Sequence, residues 1–243
     1  MIETVAEIPS TNAALLARVR EGEAVPEGHW LVADRQSAGR GRAGRVWSDG
    51  AGNFMGSTAV QLRAGDPPAQ TLALVAGVAV FDAVKACAPA IADLRLKWPN
   101  DVLVGHAKLV GILLERQREA VVVGIGVNLA QSPQVPGRAT ASLAALGFPV
   151  RRDAFAERLA AAWADALLRW HRGEWPLLRG EWLVRAHPVG TLVTVKDRDQ
   201  GEIMGAFGGI DEEGVALLRL ADGSTRAIHA GDIEMVGTDA ARD

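Results

Sequence analysis

The chain contains almost no cysteine and very little lysine. Its single cysteine, Cys87, excludes an intramolecular disulfide framework and fits a reducing compartment, and we interpret it as a packing residue. Of the 26 basic residues only four are lysines, and the others are arginines; the lysines are Lys85, Lys97, Lys108 and Lys196. Because lysines are so few, each one can be examined for a role of its own.

The sequence also lacks the segments that target a protein to a membrane or across it. The first ten residues carry Glu3 and Glu7 and have neither a basic region nor an apolar stretch, so no secretory signal is predicted. The longest apolar run, residues 72–81, is shorter than the roughly 20 residues that span a bilayer. We therefore predict a soluble cytoplasmic protein without a membrane partner.

Two kinds of binding signal are missing as well. The net charge is -3, with 49% hydrophobic and 23% charged residues, which is typical of an ordinary globular protein and argues against a nucleic-acid partner. The five histidines are scattered without the spacing of metal ligands, so we predict no zinc site built by the protein alone.

The pattern along the chain predicts an α+β protein with two domains, residues 1–186 and 187–243. Helices are predicted from Ser10 onward and at 70–86, 153–171 and Trp175–Arg185, with Asp153 as an N-cap. Strands are predicted at 29–33, 53–62, Leu94–Lys97, Asp101–Val104, 107–115 and 120–128. Their short connections favour antiparallel neighbours. Beyond Pro188, five short strands predict a small β-barrel, at 192–196, 202–210, 215–220, 225–229 and 234–236.

The sharpest local signal is an arginine- and glycine-rich loop at residues 39–45, followed by Trp47. Alternating glycines let the backbone turn tightly, and the arginines supply forked donors for carboxylate or phosphate groups. The loop lacks the Gly-Lys-Ser/Thr of a P-loop, and no helix begins after it as a dinucleotide-binding turn requires. It indicates an anion site, while a solvated surface loop and an RGG-like nucleic-acid segment stay open as alternatives.

A second segment, Lys97-Trp98-Pro99-Asn100-Asp101, places basic, amide and acidic side chains around a proline-fixed turn. Such a rigid turn can hold these groups against phosphate, hydroxyl or metal ligands. A purely structural turn, in which Asn and Asp bond the local backbone, explains the segment equally well.

Two strand segments complete the set. Lys108 begins an apolar strand and can place its ammonium between a carboxylate and a phosphate, although an ordinary edge-strand lysine is the alternative. In Gly124-Ile125-Gly126-Val127-Asn128-Leu129 the glycines leave room for a flat ligand and the Asn can read polar edges, although packing alone also accounts for the segment.

In order and spacing these segments, with Ser10-Thr11-Asn12 and Gln36-Ser37-Ala38 ahead of the loop, resemble the biotin–protein ligase family. The resemblance covers the chain to about residue 185, and residues 196–236 look like the SH3-like C-terminal domain of that family, with weaker motifs. It implies a class II synthetase-like catalytic domain, a largely antiparallel mixed sheet with flanking helices. Only nine residues precede Ser10, so a member without the DNA-binding domain is expected.

What the resemblance implies for the site is specific. Residues expected to bind biotin are Ser10, Thr11, Asn12, Gln36, Arg40, Gly41, Arg42 and Lys108. Residues expected to bind the nucleotide are Arg42, Arg45, Trp47, Lys97, Asn100 and Asn128. Lys108, Arg42 and Asp101 are the catalytic candidates, with Asp101 as base, orienting group or Mg²⁺ ligand. Mg²⁺ is expected to arrive with ATP.

The implied reaction has two steps. The biotin carboxylate attacks the α-phosphate of ATP, giving biotinyl-5′-AMP and pyrophosphate, and a lysine of the biotin carboxyl carrier protein of acetyl-CoA carboxylase then attacks the mixed anhydride. Ala43 departs from relatives that carry a polar or basic residue there, which weakens electrostatic retention of the adenylate. The oligomeric state stays open, a homodimer included.

Two rival functions stay open. A lipoate or octanoate ligase or transferase shares the expected fold, but the sequence has no match to the arginine–triple-glycine block of that family. A non-catalytic nucleic-acid-binding module could use the arginine loop, and the net charge of -3 argues against it.

Overall fold

The computed structural model describes residues 1–48, 50–197, 201–229 and 231–236. In these residues two β-sheets are joined by helices, which confirms the mixed α+β class. The helices are α1 (Thr11–Arg20), α2 (Leu72–Cys87), α3 (Arg152–His171) and α4 (Trp175–Arg185), with short 3₁₀ turns at Arg42–Gly44 and Ala69–Thr71.

The larger sheet has seven strands in the order β1-β2-β3-β7-β6-β5-β4. Their bounds are β1 (Ile2–Ile8), β2 (Trp30–Gln36), β3 (Phe54–Gln61), β4 (Leu94–Lys97), β5 (Asp101–Val104), β6 (Ala107–Gln117) and β7 (Ala120–Val127). All neighbours are antiparallel except the edge pair β1–β2, which is parallel. The predicted strands are present, and β1 is an additional strand that the sequence pattern did not indicate.

Alternation along the strands divides this sheet into two faces. On β7, Val121 and Val123 join the main core beneath α2 and α3, whereas Val122 belongs to a smaller cluster around Leu15 of α1. Only part of the second face is covered by α1. The rest of that face is therefore open to form a cleft.

The third helix corrects one prediction. Asp153 is not an N-cap: α3 begins at Arg152, and the cap residue Arg151 makes no side-chain capping bond. Asp153 lies in the first turn, where its carboxylate accepts bonds from Arg152 at 2.7 and 2.9 Å. A carboxylate in the first turn still favours the positive end of the helix dipole.

The second helix is the most apolar of the four α-helices in the described residues. The stretch Ala69–Cys87 is long and apolar enough by length and composition to cross a membrane, but most of it is buried inside the protein. Residues such as Val75, Ala76 and Val80 are fully enclosed in the main core. This burial is typical of a core helix, which passes the same test.

The smaller sheet has five antiparallel strands in the order β11-β10-β9-β8-β12. Their bounds are β8 (Leu192–Asp197), β9 (Gly201–Ile210), β10 (Ala216–Arg219), β11 (Thr225–Ile228) and β12 (Ile233–Met235). Two indoles fasten it to the rest: Trp98 Nε1 donates to the Gly214 carbonyl at 3.0 Å, and Trp175 Nε1 donates to the Glu212 carbonyl at 2.6 Å. The predicted division after residue 186 stays a prediction, and its last seven residues, 237–243, lie outside the described residues.

Candidate active site

A cleft of about 450 Å³ opens on the face of the larger sheet that α1 leaves uncovered. Its floor is a row of register partners across three strands, Met55 of β3, Gly126 of β7 and Gly111 of β6. A second row beside it joins Ser57, Gly124 and Leu113. Because side chains alternate along a strand, the glycines at 124 and 126 both face the cleft and both lower its floor.

These glycines make room for particular side chains. A Cβ at Gly124 would lie 2.2 Å from Asn12 Oδ1, and a Cβ at Gly126 would lie 2.3 Å from Cε2 of Trp47. At Gly111 a Cβ would lie 2.6 Å from the same indole. Trp47 therefore rests on bare backbone, and the glycines make room for two side chains that line the cleft.

One end of the cleft is lined by buried hydroxyl and amide groups. Thr11 donates its backbone N–H to Gln36 Oε1 at 2.7 Å, and its hydroxyl lies 2.6 Å from Ser57 Oγ. Ser57 Oγ donates to Asn12 Oδ1 at 2.6 Å. Ser10 caps α1 by accepting from the Ala13 N–H at 3.4 Å. The start of α1 thus delivers three consecutive polar residues to one pocket.

The arginine loop crosses the cleft as a tight hairpin. The Gly41 N–H donates to the Arg45 carbonyl at 2.7 Å, and Trp47 N–H donates to the Gly39 carbonyl at 3.0 Å. Ala43, at the tip, has φ 55° and ψ 34°, a left-handed conformation that side chains other than glycine rarely adopt. The hairpin positions the arginines over the cleft.

A carboxylate from the smaller sheet holds this loop. Asp232 Oδ2 lies 2.7 Å from Arg45 Nη1 and 3.7 Å from Arg138 Nη2, and Asp232 Oδ1 lies 3.4 Å from Arg42 Nη1. Burial acts to raise the pKa of Asp232, but the bond from Arg45 and the charges of Arg45, Arg42 and Lys97 together lower it below the ordinary value. Asp232 is therefore ionised at neutral pH.

Lys108 lies beside the glycine floor. Its Nζ is 2.6 Å from Asp101 Oδ1 and 5.8 Å from the centroid of Trp47. The strand β6 that carries it lies between β5 and β7, so the edge-strand interpretation of Lys108 is wrong. The carboxylate of Asp101 fixes an ammonium group at the mouth of the cleft.

Lys97 is the register partner of Asp101 on the next strand and does not line the cleft. It lines a smaller cavity between the two sheets, with Trp98 and His187. Burial lowers the pKa of the Lys97 ammonium, and the nearby charge of Asp101 opposes that shift.

Two asparagines stand near the cationic groups. Asn100 Oδ1 accepts a bond from Arg42 Nη1 at 3.0 Å, and its Nδ2 donates to the Ile112 carbonyl at 2.5 Å. Asn128 is buried at the end of β7, and its Nδ2 lies 3.4 Å from the Lys108 carbonyl. The turn after Pro99 therefore reaches the cleft through Asn100.

The cleft brings together most of the predicted site residues. Those that line it are Ser10, Thr11, Asn12, Gln36, Arg40, Gly41, Arg42, Arg45, Trp47, Asn100, Lys108 and Asn128. Lys97 and Asp101 stand behind Lys108 and do not line it. Their assigned roles stay predictions.

The residues at or near the cleft that were not predicted include Ser57, Glu115, Arg138 and Asp232. Ser57 is fully buried in β3, and a hydroxyl residue inside the predicted strand 53–62 was the usable signal. Glu115 lies two residues beyond Leu113 on the cleft face of β6, so period-two counting from Gly111 reaches it. Arg138 and Asp232 come from distant parts of the chain, and no local pattern marks them.

Known protein families match both parts of the chain. The model of the biotin/lipoate A/B protein ligase family matches residues 5–131, and the model of the biotin protein ligase C-terminal domain matches residues 190–236. The chain is 36% identical over 240 residues to a biotin–acetyl-CoA-carboxylase ligase of Mycobacterium tuberculosis, covering 96% of this chain and 88% of that protein. It is 38% identical over 228 residues to the ligase of that name from Paracoccus denitrificans, covering 88% and 92%.

Among solved structures, the biotin protein ligase from Aquifex aeolicus in complex with biotin and ATP superposes with a TM-score of 0.82 at 25% identity, over 98% of this chain and 99% of that one. The similarity runs through both sheets and is not confined to the arginine loop. With its cleft, its loop and both matched segments in place, the chain belongs to the biotin and lipoate protein ligase family.

Proposed function

We propose that this protein is an ATP-dependent biotin–protein ligase that forms biotinyl-5′-AMP and transfers biotin to a lysine of a carrier protein. The observation that carries the proposal is the division of one cleft into a neutral hydrogen-bonding end and a cationic end. Biotin has the same division, with a ureido ring at one end and a carboxylate at the other. The relatives with that activity match nearly the whole chain.

The neutral end suits the ureido ring. Thr11, Asn12, Gln36 and Ser57 present donors and acceptors that are buried and held by one another. A ring with two N–H groups and one carbonyl can complete such a set without bringing in charge. The glycine floor and Trp47 supply the apolar walls along the rest of the ligand.

The cationic end suits two anions that must meet. An oxygen of the biotin carboxylate attacks the α-phosphorus of ATP, the bond to the pyrophosphate oxygen breaks, and biotinyl-5′-AMP and pyrophosphate result. We assign to the Lys108 ammonium the role of contacting both anions, which would otherwise repel each other. Asp101 holds Lys108 at 2.6 Å, and we assign it the role of positioning that group.

The second step transfers the acyl group. The unprotonated amine of the carrier lysine attacks the biotinyl carbonyl, the bond to the AMP oxygen breaks and AMP leaves. The nitrogen then loses one proton to water to give the amide. Until the carrier arrives, the anhydride must be kept from water. The hairpin of Arg40, Arg42 and Arg45 is the cover we assign to this task, with Arg42 against the phosphate.

The nucleotide is assigned to the side of the cleft where Trp47, Asn100 and Asn128 lie, with Lys97 contributing charge from behind. Among the described residues no group of three His, Cys, Asp or Glu side chains is placed to hold a metal ion. Asp101 is engaged by an ammonium. We therefore assign Mg²⁺ to the phosphates of ATP as part of the substrate.

The partner we propose is the biotin carboxyl carrier protein of acetyl-CoA carboxylase, after the names of the relatives. We also propose that the five-stranded sheet is an SH3-like barrel. Two features support that assignment: the order β11-β10-β9-β8-β12 and the match of residues 190–236 to the C-terminal domain of biotin protein ligases. A cytoplasmic location fits the single cysteine.

The deciding experiment is ATP–pyrophosphate exchange by the purified protein with biotin, lipoate, octanoate or no acid. Exchange that depends on biotin alone is the expected result. Exchange with lipoate or octanoate would instead place the protein in the lipoyl branch, and no exchange with any acid would remove the proposed adenylation. Labelling of a purified carrier domain then tests the second step.

A further inference from the structure

Glu115 is a carboxylate outside every role assigned so far, yet it touches two parts of the site. Its Oε2 accepts a bond from Asn12 Nδ2 at 2.9 Å and lies 3.1 Å from Arg40 Nη2. Its side chain is 25% exposed, so the carboxylate is largely withdrawn from water. It reaches the cleft because Gly111, Leu113 and Glu115 share one face of β6.

The contact with Asn12 decides which way the amide points. A carboxylate only accepts hydrogen bonds, so Asn12 must turn its NH₂ toward Glu115 and its Oδ1 toward Ser57. Ser57 must then donate to that oxygen, which it does at 2.6 Å. An isolated Asn could adopt either orientation. Glu115 makes the shorter of two contacts that favour this one, because the Leu113 carbonyl also lies 3.4 Å from Asn12 Nδ2.

The same constraint passes to the next hydroxyl. Because the Ser57 proton is committed to Asn12, the 2.6 Å contact between Ser57 and Thr11 requires Thr11 to be the donor. The Thr11 hydroxyl also donates to Gln36 Oε1 at 3.1 Å, so the protons of both hydroxyl groups are taken up by acceptors of the protein. The lone pairs of the Ser57 and Thr11 oxygens are then the groups left for the cleft, and they accept from a ligand that carries N–H groups.

We propose that Glu115 is a positioning residue that sets the hydrogen-bond polarity of the neutral end of the cleft, making it an acceptor for ligand N–H donors. Arg40 holds the carboxylate from the loop side. The inference rests on the proposed function in one respect: the ureido ring is the N–H-bearing group.

The test exchanges the two partners. In Glu115→Gln the new amide can present either its oxygen or its NH₂ to Asn12, so the negative charge that holds Asn12 in one orientation is lost and the hydrogen-bond chain can reverse. In Asn12→Asp two carboxylates face each other. In the double variant the introduced glutamine amide donates to the introduced carboxylate, whose other oxygen still accepts from Ser57, so the original polarity returns.

The readout is the dissociation constant of biotin without ATP, measured by calorimetry. Each single variant should weaken binding by about 10-fold or more, the effect of one hydrogen bond to a charged group, and the double variant should regain about 10-fold over Asn12→Asp. KM for ATP should stay near that of the unchanged protein. The matched control is Glu119→Gln. Glu119 is exposed, lies outside the cleft and pairs with Arg116 at 3.2 Å.

A second readout uses a biotin analogue methylated at one ureido nitrogen. The preference for biotin over this analogue should fall in Glu115→Gln and return in the double variant, an outcome that a general loss of stability would not produce. Unchanged biotin binding in Glu115→Gln, or a double variant no better than Asn12→Asp, would overturn the role of Glu115. Absence of biotin binding by the unchanged protein would instead overturn the proposed function.

Discussion

A single ammonium group, that of Lys108, stands at the place where the biotin carboxylate and the α-phosphate are proposed to meet. Replacing it in Lys108→Met leaves the two anions without a bridging charge and leaves Asp101 as a third negative group beside them. We expect biotin-dependent ATP–pyrophosphate exchange to fall by about 100-fold or more, as for other groups that stabilise charge developing in a transition state. Rapid exchange measurements with saturating biotin and ATP check this.

The control for Lys108→Met is Arg116→Met on the same strand. Arg116 is exposed and pairs with Glu119 at 3.2 Å, so it offers the same loss of charge away from the cleft. Its exchange rate should be that of the unchanged protein. A Lys108→Met protein that exchanges as fast as this control would remove Lys108 from the catalytic group.

The floor of the cleft contains glycines, and a Cβ on one of them would displace a neighbouring side chain. In Gly126→Ala the new Cβ would lie 2.3 Å from Trp47, so the indole must leave its position. We expect KM for biotin and for ATP to rise by roughly 10-fold, since overpacking costs on the order of 1–3 kcal/mol. Because Trp47 is carried by a loop, the unfolding temperature should change little.

The same substitution at Gly180 in α4 provides the contrast. Nothing lies within 4 Å of the position a Cβ would occupy there. Gly180→Ala should leave both KM values unchanged and raise stability by about 0.5–1 kcal/mol, because alanine is the better helix former. If both variants changed KM alike, the close approach of Trp47 to Gly126 would not be the cause.

At the scale of elements, the sequence predicted the helices and most strands because their apolar spacing is regular. It failed at β1, which pairs along one side only, with β2, and is too exposed for a clear period of two. It also placed a cap at Asp153 because the residue type fits, whereas the helix begins at Arg152 and its cap is Arg151, two residues before Asp153. Local sequence patterns therefore predict which helices and strands exist better than they predict where each one begins and ends.

The candidate site, too, could be predicted from the sequence only in part. Residues that lie in one contiguous motif, such as those of the arginine loop, could be found from sequence. Asp232 could not, because its role depends on bringing the smaller sheet against that loop. Contacts of this kind arise from packing between distant segments, for which a single sequence holds no local signal.

The arginine loop is the element whose loss should change the outcome of the reaction more than its rate. Arg42 joins the loop to Asn100 at 3.0 Å and to the Gly231 carbonyl at 3.4 Å. In Arg42→Gly we expect the adenylate to escape and to acylate lysines of bystander proteins indiscriminately. To check this, the amount of labelled biotin attached to a bystander protein is compared with the amount attached to the carrier. Gel filtration measures how much adenylate the protein retains.

A matched control for Arg42→Gly is Arg118→Gly in the turn between β6 and β7. Arg118 has φ 55°, so glycine fits its backbone, and it lies outside the cleft. That variant should keep the adenylate bound and label the carrier selectively. Retention by Arg42→Gly equal to that of this control would contradict the covering role of the loop.

At the scale of the whole molecule, the two sheets meet at the active site and not only at a structural seam. The smaller sheet is fastened at one side by the indoles of Trp98 and Trp175 and at the other by Asp232, which contacts three arginines over the cleft. The loop is therefore held in its position across the cleft by a residue about 190 positions away in the chain. Loop order and contact between the sheets should change together.

Asp232→Asn tests that connection through its dependence on pH. The folded pKa of Asp232 is lowered from its ordinary value of 3.8, so its contribution to stability is complete well above pH 3.8 and is lost as the pH falls through the folded pKa. At pH 7 we expect trypsin to cleave the arginine loop of Asp232→Asn roughly 2- to 10-fold faster than that of the unchanged protein, because half-buried charged contacts contribute on the order of 1 kcal/mol. The difference in unfolding temperature between the two proteins should shrink as the pH falls below 4, when the carboxyl becomes neutral and resembles the amide.

The control is Asp222→Asn, on an exposed turn of the same sheet, where the carboxylate accepts bonds from Ser224. This variant should be cleaved like the unchanged protein. Equal cleavage in all three proteins at pH 7 would mean that the loop is ordered without the smaller sheet.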